Sequence, residues 1–185
     1  MTNIKYDPQK HHRRSIRLKE YDYSNPGTYF VTICTHNRQC LFGDVVDGQM
    51  RLNNIGQVVT EEWIRSKELR KEIELDEFIV MPNHMHGIVI IPESNPVVVV
   101  VVVGATGRSP LLLPKGPASK SIGSLIAGFK AHATKIINVI RATPGAPVWQ
   151  RNYYEHIIRD DKELLYVREY IAYNPLLWIK DENNE

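Results

Sequence analysis

Phe78-Ile79-Val80-Met81-Pro82-Asn83-His84-Met85-His86-Gly87-Ile88-Val89-Ile90-Ile91 is the stretch on which the fold turns. Most of its residues are β-branched or apolar, and Pro82-Asn83 interrupts them. Proline has no N–H to give to a ladder, so the run reads as two strands, 74–80 and 84–91, joined by a turn or bulge. Side chains along a strand alternate between faces, which puts His84 and His86 on one side and Met85 on the other. Two neutral imidazoles side by side on a sheet make half of a divalent-metal site, and a strand holds them rigidly.

Upstream, the turn signal Asn25-Pro26-Gly27 precedes Tyr29-Phe30-Val31-Thr32-Ile33-Cys34-Thr35-His36, whose aromatic and β-branched residues read as a central strand. Leu41 to Leu52 reads as a hairpin around Asp47-Gly48, a favoured two-residue turn. From Asn54, Ile55, Val58, Val59, Trp63 and Ile64 recur at helical spacing and predict an amphipathic helix to about Lys71. Downstream, Ile122, Leu125, Ile126, Phe129, Ala133, Ile136, Ile137 and Ile140 trace a second helix. Val148-Trp149-Gln150-Arg151 is a short extended piece. Asp160 with Glu163 has the capping-box form and opens a last helix that Pro175 is expected to close near Tyr173. Strands and helices interleaved in this way suggest an α+β sandwich with an antiparallel sheet.

A chain of 185 residues suits one domain with a sizeable core, and 43% hydrophobic with 24% charged residues is an ordinary globular composition. The net charge of +2 is less informative than its distribution. Lys10 to Lys19 includes His11, His12, Arg13, Arg14 and Arg17 with no acidic residue before Glu20, which suits an arm for a polyanion. We therefore divide the chain into a basic arm at 1–24, a domain at 25–178 and a tail at 179–185. Within the domain, residues 93–118 form a Val/Pro/Gly-rich insertion. Its run Val97 to Val103 is far shorter than the roughly 20 residues that span a bilayer, so no membrane association is expected. Cys34 and Cys40 have no CxxC partner and no apolar leader is visible, so a reduced, cytoplasmic protein is expected.

On the last helix Tyr166, Tyr170 and Asn174 are spaced by four and share a face, while Leu164, Val167 and Ile171 make another stripe. A phenol, with its ordinary pKa of about 10, is a poor nucleophile at neutral pH. It needs a base, or a metal that makes its target more electrophilic. A metal held by His84 and His86, with the amide oxygen of Asn174 as third ligand, could polarise a phosphodiester while the Tyr170 phenol attacks phosphorus. Tyr153, Tyr154 and Tyr173 are rival tyrosines, assigned to packing or stacking. His156, beside Glu155, suits either a structural or a phosphate-contacting role. Lys130, Lys135, Arg151 and Arg159, scattered among aromatics, suit a groove for single-stranded nucleic acid, where cations follow the backbone and rings stack bases.

Five pieces together carry a resemblance: Gly27-Thr28-Tyr29-Phe30-Val31-Thr32, Met81-Pro82-Asn83-His84-Met85-His86, Ser121-Ile122-Gly123-Ser124-Leu125-Ile126-Ala127-Gly128-Phe129-Lys130, Trp149-Gln150-Arg151-Asn152-Tyr153-Tyr154-Glu155-His156-Ile157-Ile158-Arg159-Asp160, and Tyr170-Ile171-Ala172-Tyr173-Asn174-Pro175. In this order they resemble the single-tyrosine (IS200/IS605-like) transposase family of HUH single-strand DNA nucleases, in its REP-associated branch. The resemblance implies a ferredoxin-like α+β sandwich with an antiparallel central sheet and helices on one face. It implies that His84 and His86 bind Mg²⁺ or Mn²⁺, that Tyr170 is the nucleophile and that Asn174 completes the metal site. Asn174 departs from the Gln common in the IS200 group, being one methylene shorter, and Pro175 biases it away from helical geometry. The implied activity is metal-dependent cleavage and rejoining of single-stranded DNA beside hairpins, through a 5′-phosphotyrosine, with dimers usual in the IS200 group. The alternative is a hairpin-binding regulatory protein without turnover.

Overall fold

The alternation seen in the sequence becomes six strands and three helices in a computed structural model that describes residues 25–93, 120–181 and 183–184. The basic arm, the valine run and all but the first residue of the insertion lie outside the described residues. In chain order the elements are β1 (Gly27–Cys34), β2 (Gly43–Val46), β3 (Gln49–Leu52), α1 (Asn54–Leu69), β4 (Glu74–Val80), β5 (His84–Ile91), α2 (Ile122–Ile140), β6 (Tyr154–Ile158) and α3 (Asp161–Leu177). Single 3₁₀ turns follow β1 at His36–Arg38 and α3 at Trp178–Lys180.

Four strands form one antiparallel sheet in the order β4-β5-β1-β6. With α1 between β1 and β4 and α2 between β5 and β6, this is the ferredoxin-like β-α-β-β-α-β arrangement. The small hairpin β2–β3 is inserted ahead of α1. Its turn is the one the sequence predicts: Asp47 and Gly48 both have positive φ, 52° and 69°, as a two-residue turn matching strand twist requires.

Alternation sorts the central strands between two cores. Tyr29, Val31 and Ile33 of β1, with Met85, Val89 and Ile91 of β5, join Val59 and Trp63 of α1 and Ile122, Leu125, Ile126, Phe129, Ala133 and Ile137 of α2. The other side of the sheet carries Phe30, Ile88, Ile90 and Ile158, and these meet Leu164, Val167 and Ile171 of α3. The α+β class and the antiparallel sheet are as expected. Helices on one face holds only for α1 and α2; α3 lies on the opposite face, because its apolar stripe has the second side of the sheet to cover.

Helix starts follow local chemistry. Asn53 Oδ1 accepts from the N–H groups of Ile55 and Gly56, and Ser121 Oγ from that of Ser124. At α3, Asp160 Oδ1 accepts from Glu163 N–H at 2.8 Å, and Glu163 reaches back to Arg159 N–H at 2.8 Å. Glu163 also accepts from His156 Nε2 at 2.7 Å, which gives His156 a helix-end role. Arg168 then ties α3 to β4 through a two-pronged contact with the Asp76 carboxylate.

Two local expectations change. The short strand expected at Val148–Arg151 reduces to a single bridge between Trp149 and Thr35, and the fourth strand of the sheet is instead Tyr154–Ile158. Pro175 does not close the last helix near Tyr173; α3 continues to Leu177 with the proline inside it. In the final turn the missing N–H costs a single rung, to the Ile171 carbonyl, and both Asn174 and Pro175 are buried. Asn174 is therefore helical, against the expectation that Pro175 would bias it elsewhere.

Candidate metal and nucleophile site

β1 and β5 are the two inner strands, and their register sets Thr32 opposite His86 and Cys34 opposite His84. His84 and His86 point to the α3 side, while Met85 is fully buried in the other core. Their Nε2 atoms lie 3.0 Å apart. The outer nitrogens are anchored: His84 Nδ1 is 2.8 Å from Asn83 Oδ1, and His86 Nδ1 is 2.8 Å from Thr32 Oγ1. An amide oxygen only accepts, so His84 carries its proton on Nδ1 and leaves an Nε2 lone pair. The Thr32 hydroxyl can donate or accept. Whichever it does, His86 can present either tautomer without losing its partner.

Burial drives the proton affinity of both rings down. His84 is pushed to about 4 by desolvation and by the nearby Arg38 charge, with Asp181 partly opposing. His86 is pushed to about 3, by desolvation first and by His84 second. Both imidazoles are thus neutral ligand bases at pH 7.

Helix α3 brings the nucleophile candidate to the pair. The Tyr170 hydroxyl lies 3.4 Å from His86 Nε2, and its ring packs edge-on against Phe30, which in turn stacks on His86. Tyr166, on the same nominal face, is exposed, as is Tyr173. The i, i+4 row drifts around the cylinder, so only its lower members reach the sheet. One turn below Tyr170, Asn174 is 1% exposed, and its Oδ1 has no hydrogen-bond partner among the described residues. Its Nδ2 donates to Asp181 Oδ2 at 2.8 Å.

Asp181 is the residue that sequence reasoning missed. His84, His86 and Asp181 each offer a ligand atom, and the three atoms lie within 4.8 Å of one another. Burial would raise the Asp181 carboxyl, but hydrogen bonds from Asn183 N–H and the Asn174 amide, with the influence of His84, hold it below the usual range. The segment set aside as a tail thus folds back onto the site. Asn83 Nδ2 fastens it by donating to the Asn183 carbonyl at 2.6 Å. No sequence pattern marked Asp181; Thr32 and Asn83 stood in the quoted pieces, and strand register alone would have paired Thr32 with His86.

The donor set fits a divalent cation. Two neutral imidazoles, a carboxylate and an orphaned buried amide oxygen are the ligand types that Mn²⁺ and Mg²⁺ accept. An unpartnered buried carbonyl otherwise costs about 1–3 kcal/mol.

No protein-family model matches the chain. An uncharacterized protein of Haemophilus influenzae is 43% identical over 183 residues, 96% of both chains. A second protein of that organism, named "Putative REP-associated tyrosine transposase", is 23% identical over 155 residues, 84% of this chain and 73% of its own. The solved structure of a REP-associated tyrosine transposase bound to a REP hairpin superposes with a TM-score of 0.55 at 23% identity, covering 88% of this chain and 73% of that one. The chain therefore shares its fold with that REP-associated tyrosine transposase.

The structure separates the cations that sequence pattern had grouped as a groove for single-stranded nucleic acid. Lys130 is turned inward: its ammonium donates to the carbonyls of Gln150 at 2.9 Å and Asn152 at 2.8 Å, and lies over the Tyr153 ring. Burial lowers it to about 8, with Cys34 partly opposing. Lys135 is exposed on α2, across the sheet from the histidines, whereas Arg151 and Arg159 are exposed on either side of β6. Arg13, Arg14 and Arg17 lie outside the described residues. No helix among the described residues is long and apolar enough to cross a membrane.

Proposed function

We propose that this protein is a tyrosine-transposase-like enzyme that cleaves and rejoins single-stranded DNA beside hairpins, using Tyr170 as nucleophile and a Mg²⁺ or Mn²⁺ ion held by His84, His86 and Asn174. The observation that carries the reading is the 3.4 Å approach of the Tyr170 hydroxyl to His86 Nε2, itself 3.0 Å from His84 Nε2. The hairpin as partner is supported by the relative solved with a REP hairpin bound. A cation there would supply Lewis acidity, drawing charge from the non-bridging phosphate oxygens. Tyr170 is held by Phe30 and by the Arg168–Asp76 tie, so its oxygen meets the phosphate in a fixed direction. Attack forms an O–P bond to Tyr170 and breaks the bond to the 3′-oxygen. The phenol proton balances the 3′-hydroxyl released, and the 5′ side stays joined to the enzyme for rejoining. Arg151 and Arg159 are proposed phosphate contacts, which would supply affinity more than sequence preference.

The test is to incubate the protein with labelled, hairpin-flanked single strands and Mn²⁺ and to look for a denaturant-resistant protein–DNA adduct. Adduct is expected with the native protein, and none with EDTA or in Tyr170→Phe. An undiminished adduct in Tyr170→Phe would remove Tyr170 from the chemistry, and binding without an adduct under any metal would support a regulatory hairpin binder.

A further inference from the structure

We propose that Asp181, delivered by the chain beyond α3, is itself a ligand of the cation at His84 and His86, and that the ion pins the C-terminal segment to the sheet. The inference rests on the metal reading above. Three observations on separate atoms carry it. A carboxylate oxygen of Asp181 falls within 4.8 Å of ligand nitrogens on both histidines. The carboxylate is held in place from both sides: Oδ2 accepts from Asn174 Nδ2 at 2.8 Å, and Oδ1 accepts from Asn183 N–H at 2.6 Å and Nδ2 at 3.0 Å. The same Asn174 amide keeps Oδ1 buried and unpartnered, so an oxygen without a donor shares its carbon with the nitrogen that fixes the carboxylate.

The chemistry of the donors points the same way. Two imidazoles and an amide oxygen are all neutral, leaving the full charge of a divalent ion uncompensated beside buried nitrogen ligands. Nitrogen-rich neutral sets favour late transition metals, whereas carboxylate oxygen shifts a site toward Mn²⁺ and Mg²⁺. Asp181 supplies that missing anion. It does so with an oriented side chain, because Asn83 bonds both His84 and the Asn183 carbonyl and so couples the first histidine to the tail. Asn174 then has two parts to play, one oxygen toward the ion and one N–H₂ positioning Asp181.

Mn²⁺ binding to the full chain, measured by electron paramagnetic resonance of the free ion and by calorimetry, tests this without turnover. The native protein should bind one Mn²⁺, and Asp181→Asn, nearly isosteric, should weaken binding on the order of tenfold to a hundredfold. Asp181→Glu should recover part of the loss. Added Mn²⁺ should also slow amide exchange around 178–184 in the native protein and leave it unchanged in Asp181→Asn. Thermal melts in EDTA confirm that each variant is folded. Affinity within twofold of native in Asp181→Asn, with the native protein binding normally, overturns the role of Asp181 alone. Failure of the native protein to bind Mn²⁺ overturns the metal reading itself.

Discussion

Acidifying the metal-free protein should cost stability in a window set by His84 and His86. In the folded chain the two rings protonate only near pH 4 and pH 3, whereas in the unfolded chain they do so near the ordinary 6.5. Between pH 6.5 and 5 the unfolded state therefore takes up protons that the folded state refuses, so stability falls as pH falls. Each pH unit is worth about 1.4 kcal/mol per full proton, and the unfolded rings are only half protonated at pH 6.5, so a descent of roughly 1.5 units costs less than about 2 kcal/mol for each imidazole and about 3 kcal/mol for the pair. That is a large part of the roughly 5–15 kcal/mol that holds an ordinary domain together. Asp76 and Asp181 have depressed carboxyls, and their contribution is lost only as pH falls below the ordinary value of 3.8, outside this window. Urea unfolding in EDTA at a series of pH values gives the measurement, with His84→Gln/His86→Gln as the comparison. The double variant should lose most of the slope between pH 6.5 and 5, whatever its absolute stability. Equal slopes in the two proteins would show that the rings are not held neutral by burial.

Four further substitutions have expected outcomes. Thr32→Val removes the hydroxyl that serves either tautomer of His86, so Mn²⁺ affinity by calorimetry should drop on the order of tenfold to a hundredfold while the fold survives. Gly87→Ala would set a Cβ 2.9 Å from Trp63 Cζ2, so thermal unfolding should report a loss of about 1–3 kcal/mol from overpacking behind the histidine strand. Lys130→Met should destabilise the fold by unseating the 150–152 segment, whereas Arg151→Ala should leave melting unchanged and reduce the salt dependence of single-strand DNA binding by about one phosphate contact.

What could be read from sequence was whatever short-range periodicity encodes. His84 and His86 share a face because period two requires it, and the hairpin at Asp47-Gly48 and the capping pair Asp160/Glu163 are local chemistry. The fourth strand escaped because Tyr154-Glu155-His156 looks polar; Glu155 is nonetheless buried, and Tyr154 faces the α3 side at a sheet edge. The stretch at Val148–Arg151 looked more strand-like, yet it is held by one bridge and by Lys130. Pro175 misled because a proline's cost depends on its place: in a last turn it loses one rung, and the buried contacts of Asn174 and Ile171 outweigh that. Asp181 was not legible at all. Its position depends on the helix running on to Leu177, on the turn at Trp178–Lys180 and on Asn83 waiting across the sheet, a long-range coincidence that no local pattern records.

The division of the apolar residues into two clusters has a mechanical meaning. Val167 and Ile171 sit in a cluster with Ile88 and Ile158, joined by Phe30 and Ile90 and braced by the Arg168–Asp76 contact, apart from the large core beneath α1 and α2. Helix α3 is consequently seated on contacts separate from those that hold α1 and α2 to the sheet. The helix that presents the phenol and the framework that holds the histidines thus draw their stability from opposite faces of one sheet.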